Sequence, residues 1–184
     1  MKISASIYSD KKRPLKEVIQ DLVDHQIEVL HIDCNDDLSV FNDIAEIRLW
    51  CSIPIDLHII TDEPDKYFDL LKKHPVEYLT FQYENLKSPL KIPENIKSKK
   101  GIAITTHTDV DVFSDFEDMD FILIMATVPG QSGGAFDQNN FSKIRKYRAK
   151  YPKKSIHVDG GVNAEVSFIL RNMGVSLSVS GSYL

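Results

Sequence analysis

The chain has 184 residues, 42% hydrophobic and 27% charged, with a formal net charge of −5, which suits one globular domain over 1–184 with a substantial core. The negative balance argues against nucleic acid as a ligand, because a phosphate backbone needs clustered Lys and Arg. No apolar run approaches the length of about 18 residues that marks a membrane span, and no signal-peptide pattern opens the chain. No membrane partner is therefore expected, and a cytoplasmic location is. Cys34 and Cys51 fit neither a zinc spacing nor a disulfide framework and are expected as reduced thiols.

Short β-rich runs alternate with amphipathic helical ones. Strands are predicted at 2–8, 29–34, 53–60, 77–82, 101–106, 120–127, 155–160 and 177–182. Helices are predicted between them at 14–25, 38–50, 64–73, 109–116, 138–150 and 163–173, with a weaker pattern over 85–97. The basic stretch "KIRKYRAKYPKK" at 143–154 reads as one helix with a solvated basic face. Eight strands at intervals of about 25 residues, each followed by a helical pattern, predict repeated βα units and a parallel sheet. Eight such units close most naturally as a (β/α)8 TIM barrel, compact beside a typical length of about 250 residues. The last strand runs into "GSYL", so the pattern lacks an eighth helix.

A parallel barrel carries its chemistry at the C-terminal ends of its strands. The capable residues there are Ser6, His31 and Asp33, Asp56 and His58, Gln82, Thr105, Thr127, Asp159 and Ser182. His31 and Asp33 are two apart, so on a strand they share a face. Two His and two Asp from separate strands can form a His2Asp2 site for one divalent metal ion, zinc, iron(II), manganese or cobalt. Asp56 is expected to orient His58 or to close a hydrogen bond within a strand layer, not to ligate. His25, His74, His107 and His157 lack the partner pattern and are expected at the surface or behind the ligands.

Glycine clusters in "PGQSGGAF" (129–136), "VDGGVN" (158–163) and "SGS" (180–182), after the last three strands. Loops after strands 7 and 8 often bind phosphate in barrels of this kind, and glycine lets backbone N–H groups approach an anion closely.

With these residues in view, the chain resembles the ribulose-phosphate 3-epimerases over essentially its whole length. "KISASIYS" looks like the family's opening strand, "HIDCNDD" like H-x-D-x-M-D-G, and "DLHII" like D-x-H-L-M. "IMATVPGQSGGAF", "VDGGVN" and "VSGSYL" match its last three strand ends. The resemblance implies that His31, Asp33, His58 and Asp159 bind the metal, with Asp33 and Asp159 also the catalytic acid–base pair. It implies that Ser6 and His58 touch substrate, while Gly133, Gly134, Gly160, Gly161, Gly181 and Ser182 line a phosphate site. The implied reaction inverts C3 of a phosphorylated ketose, D-ribulose 5-phosphate to D-xylulose 5-phosphate, through a cis-enediolate. The alternatives are the same chemistry on another ketose phosphate, such as a hexulose 6-phosphate, or a non-catalytic barrel that binds metal or sugar phosphate.

The chain also departs from the family pattern. Asn35, Asp37 and Ile60 replace Met, Gly and Met, so that of the methionine floor only Met125 stays in register; Gln82 replaces a strand-4 histidine. Thr106 and His107 replace Pro-Gly, and Gln131, Ser132 and Gly134 alter the phosphate loop. The absent eighth helix predicts an apolar seam beside the first and last helices, and hence a homo-oligomer.

Overall fold

In the computed structural model, which describes residues 1–127 and 134–181, eight parallel strands close into one barrel. They are β1 (Lys2–Ser6), β2 (Val29–Asn35), β3 (Ile55–Ile60), β4 (Tyr78–Gln82), β5 (Lys99–Ile104), β6 (Phe121–Met125), β7 (Ser155–Asp159) and β8 (Leu177–Ser180). Each pairs with the next, and β8 closes on β1 through Lys2 opposite Leu177 and Ser4 opposite Val179. Outside the sheet lie α1 (Leu15–Asp24), α2 (Val40–Trp50), α3 (Phe68–Lys73), α4 (Asn139–Lys150) and α5 (Ala164–Asn172). The architecture is the TIM barrel the alternation predicts.

The strands read as continuous apolar runs because both of their faces are covered. Residues such as Leu30, Ile32, Leu57, Ile59, Ile102 and Ile122 point outward and are buried against the helices. The helices supply matching stripes, Val18, Ile19 and Leu22 on α1 and Ile144 and Tyr147 on α4. Inside the barrel, Val29, Leu177, Val179, Ala103, Phe121, Leu123 and Met125 form two apolar groups that meet at Tyr78. Among the described residues no helix is long and apolar enough to cross a membrane.

Three connections differ from the sequence expectation. The weak pattern over 85–97 is not a helix: a single 3-10 turn, Tyr83–Asn85, leads into irregular chain. Pro89 and Pro93 lack the N–H that a helix interior needs and bias the residues before them away from helical angles. The connection after β5 is a 3-10 helix, Val110–Phe116, and the one after β3 opens as a 3-10 turn, Pro64–Tyr67, before α3. The basic face of α4 is solvated as expected at Arg145, Lys146 and Lys150, while Lys143 is half-buried. Lys143 Nζ donates to the carbonyls of Thr105 and Thr106 at 2.7 Å each, tying α4 to the loop after β5. Lys146 and Lys150 pair with Asp109 and Asp111.

Candidate active site

Strand register builds the site. His31 lies opposite Asp56 and Asp33 opposite His58 across the β2–β3 pair, and Asp159 ends β7. The alternation of a strand turns all of these side chains into the barrel. One ligand atom from each of His31, Asp33, His58 and Asp159 lies within 4.8 Å of the others. His31 Nε2 and His58 Nδ1 each stand 3.3 Å from Asp33 Oδ1, and His31 Nε2 is 3.8 Å from Asp159 Oδ2. Two ligands bound about 2.1 Å from a tetrahedral ion stand about 3.4 Å apart, so these four groups fit a divalent cation with little movement.

The tautomers fit as well. His31 Nδ1 meets Asp56 Oδ2 at 2.9 Å. A carboxylate only accepts, so Nδ1 carries a proton, and once Nε2 gives up the proton that Asp33 favours, its lone pair faces the shared centre. His58 Nε2 meets Gln82 Oε1 at 2.8 Å, and the Gln82 amide nitrogen donates to Glu84. The Glu84 carboxylate forces the amide orientation, which makes His58 Nε2 the donor and frees Nδ1. Glu84 is fixed in turn by Thr105, whose N–H and hydroxyl donate to it at 2.8 and 3.0 Å. Thr105 thus serves the support of His58 and not the cavity wall.

Asp56 is a correction to the sequence expectation: it orients His31, not His58. It also closes the expected layer bond, accepting from the Ser4 hydroxyl at 3.3 Å. Gln82 as the partner of His58 was missed; its place at a strand end two residues before Glu84 was the available signal. His157 is a second correction, for it is neither at the surface nor behind the ligands. It is buried at the other end of the barrel, stacked on Phe121 with ring centroids 4.0 Å apart.

The electrostatics separate the two carboxylates. Burial raises the pKa of Asp33, but the neighbouring histidines, His31 before His58, outweigh it and hold Asp33 well below the usual range. Burial pushes Asp159 up to about 6, with Asp33 and Asp56 adding repulsion that the histidines only partly offset. His31 is raised despite its burial, because Asp33 and Asp56 favour its charged form. Two acids driven in opposite directions at one site are the usual signature of a base facing an acid.

Asp33 and Asp159 open onto a cavity of about 750 Å³ at the C-terminal mouth. Ser6, Gly160, Gly161 and Gly181 line it too, and the loop after β1 contributes Lys11, a cation the motif reading did not single out. Two glycines there are sterically required. Gly160 has φ +100° and packs on Thr127, and Gly161 has φ +65°, where a Cβ would collide with the backbone of Phe136. Gly134 stands apart from this wall, on a neighbouring depression with Phe136 and Gly161. Gly133 and Ser182 lie outside the described residues. Of the two acids that follow Asn35, Asp36 is bonded to Thr61, Tyr67 and Lys66. Asp37 accepts from Ser39 N–H at 2.9 Å beside the start of α2.

Comparison with known proteins agrees with this geometry. The family model described as the ribulose-phosphate 3 epimerase family matches residues 2–184. The ribulose-phosphate 3-epimerase of Bacillus subtilis is 28% identical over 197 aligned positions, covering 99% of this chain and 91% of that protein. That of Methanocaldococcus jannaschii is 28% identical, covering 99% and 83%. Among solved structures, the phosphoribosyl anthranilate isomerase of Thermus thermophilus superposes with a TM-score of 0.68 at 11% identity. That match covers 99% of this chain and 88% of the other, and it speaks to the fold alone. The chain therefore belongs to the ribulose-phosphate 3-epimerase family, of the isomerase class.

Proposed function

We propose that the protein inverts C3 of a phosphorylated ketose, interconverting D-ribulose 5-phosphate and D-xylulose 5-phosphate through a cis-enediolate. The observation that carries the reading is the pair Asp33 and Asp159, on β2 and β7, opening onto one cavity with opposed proton affinities. Removing the C3 proton, which is α to a carbonyl, needs a base on one side of the carbon. Returning a proton to the other side needs an acid. Asp33, held ionised beside two histidines, takes the proton, and Asp159, in the fraction of molecules where it is protonated, delivers one to the opposite face. The two groups then have exchanged protonation states and are set for the reverse reaction.

When bound by His31, Asp33, His58 and Asp159, a divalent cation supplies Lewis-acid stabilisation of the enediolate charge. Zinc, iron(II), manganese and cobalt all suit the donor set. Ser6 touches the substrate near the carboxylates. Backbone N–H groups around Gly160, Gly161 and Gly181 receive the phosphate, helped by the Lys11 ammonium, and Gly133, Gly134 and Ser182 complete the same expectation. The wall continues over Asn35, Asp37 and Asp43, which favours as a second reading a longer ketose phosphate, such as a hexulose 6-phosphate. Self-association belongs to the same proposal: Phe168 on α5 is 70% exposed, and sedimentation of the purified protein tests it.

The deciding experiment is proton NMR of the metal-loaded protein with D-ribulose 5-phosphate in D2O. Deuterium entering C3 together with growing xylulose 5-phosphate signals is the expected result. Exchange without the epimer would mean that only one carboxylate works. No exchange with metal bound would shift the reading to the longer ketose phosphate, and failure there too would leave a non-catalytic barrel.

A further inference from the structure

The N-terminal end of the barrel, opposite the candidate active site, holds a second concavity of about 330 Å³. Three lysines from separate parts of the chain line it, each exposed: Lys2 opens β1, Lys99 opens β5 and Lys153 precedes β7. Lys146 and Lys150 of α4 find carboxylates. By contrast, none of these three is in an ion pair among the described residues, although Lys99 lies 5.9 Å over the Tyr78 ring. The pocket's one acid, Asp120, is committed to structure, accepting the Lys100 N–H at 2.8 Å. The local balance is therefore three positive charges to one negative on a chain whose overall charge is −5.

A second observation is independent of the lysines. His157, 3% exposed, is among the residues lining the pocket, and its Nδ1 has no hydrogen-bond partner among the described residues. A buried polar atom without a partner is uncommon in a folded protein and calls for an explanation. Phe121 holds the ring by stacking, so its position does not depend on a polar partner. Three lysines lining one pocket with an imidazole suit a compact, multiply charged oxyanion, to which an ammonium group can donate a charge-assisted hydrogen bond. The volume exceeds that of a single anion and admits the small organic part of an ester.

We propose that this pocket is a second ligand site, separate from the catalytic mouth, that binds the phosphate group of a small phosphate ester. The inference does not rest on the reaction proposed above. Its test follows the side-chain resonances of the six histidines during titration with inorganic phosphate, at constant pH and with sodium chloride at matched ionic strength as control. A His157→Asn spectrum identifies the reporter, and His31 and His58 report separately on the opposite end. The expected result is a saturable change at His157. In Lys99→Gln/Lys153→Gln its dissociation constant rises by about tenfold or more for each lost contact, on the scale of hydrogen bonds to charged groups, while the response of His58 is kept. Lys2→Gln is the independent second variant and weakens the same response. Repeating the titration with glycerol 3-phosphate shows whether ester or free ion binds more tightly. A silent His157, a response equal to that of chloride, or one unchanged in both variants would overturn the proposal.

Discussion

The two ends of the barrel interior handle a buried histidine in opposite ways. At the C-terminal mouth, His31 is fully buried between Asp33 and Asp56, which raise its pKa despite the burial. At the other end, burial pushes His157 down to about 4, and Asp56 opposes this only in part. The difference is the company the ring keeps. Neighbouring carboxylates turn one imidazole into part of a polar network that can exchange protons or a cation, whereas an aromatic stack makes the other a neutral packing element. One scaffold thus confines titratable chemistry to one end of the barrel and keeps the other end fixed.

The largest effect that would break this contrast lies at the mouth. Asp159→Asn keeps the shape but cannot hold or release the second proton. Turnover should fall about a thousandfold or more, within the usual range for a lost acid or base, while circular dichroism reports an unchanged fold. If the variant kept most of its activity, the two-carboxylate assignment would be wrong.

The next effect lies at the opposite end and is read as stability. Between pH 6.5 and about 4 the unfolded state binds a proton at His157 that the folded state refuses. The folded-state pKa is depressed, so the contribution is fully present above 6.5 and is lost as the pH falls through about 4. Its full size is up to about 3 kcal/mol, at 1.36 kcal/mol per pKa unit. In His157→Gln the difference from the wild-type unfolding free energy should be largest near neutrality and shrink toward pH 4. A difference independent of pH would show that His157 is not held neutral.

Much of this was legible in the sequence, for reasons that particular residues make plain. The period-2 placement of His31 with Asp33 and of Asp56 with His58 puts all four side chains inside the barrel, whatever the stagger between strands. What strand pattern alone leaves open is the stagger itself. It sets His31 beside Asp56 and so decides which histidine Asp56 serves. His157 follows the same period as Asp159, yet its neighbours are Phe121 and Tyr78, from strands distant in sequence. Lys143 reads as a surface charge because its acceptors are backbone carbonyls, which every residue has. Lys11 reaches the cavity through a loop, where no periodicity aims a side chain.

A smaller effect tests how the mouth is held. Asp56→Asn removes the carboxylate that fixes the His31 tautomer, and the amide can turn either its oxygen or its nitrogen toward Nδ1. Outer partners of ligating histidines are typically worth about 10–100-fold in metal affinity. The measurement is competition for zinc against a chelator, with the pH high enough to keep Asp159 ionised. Unchanged affinity would mean that stacking and strand geometry alone orient His31.

The smallest expected effect concerns His58 and separates it from His31. Gln82→Leu removes the acceptor at His58 Nε2 and substitutes a side chain of similar size, so packing is largely kept. His58 can then place its proton on either nitrogen, and in one tautomer the Nδ1 facing Asp33 is protonated and lost to a cation. Because both neutral tautomers remain accessible, the penalty is a population factor and not the loss of a ligand. That corresponds to about tenfold weaker zinc binding, the low end of the range for such partners. The Gln82 partner Glu84 is still held by Thr105, so the loop after β4 should keep its place. A loss as large as that of Asp56→Asn would show that the amide network, no less than the buried carboxylate, sets the geometry of the metal site.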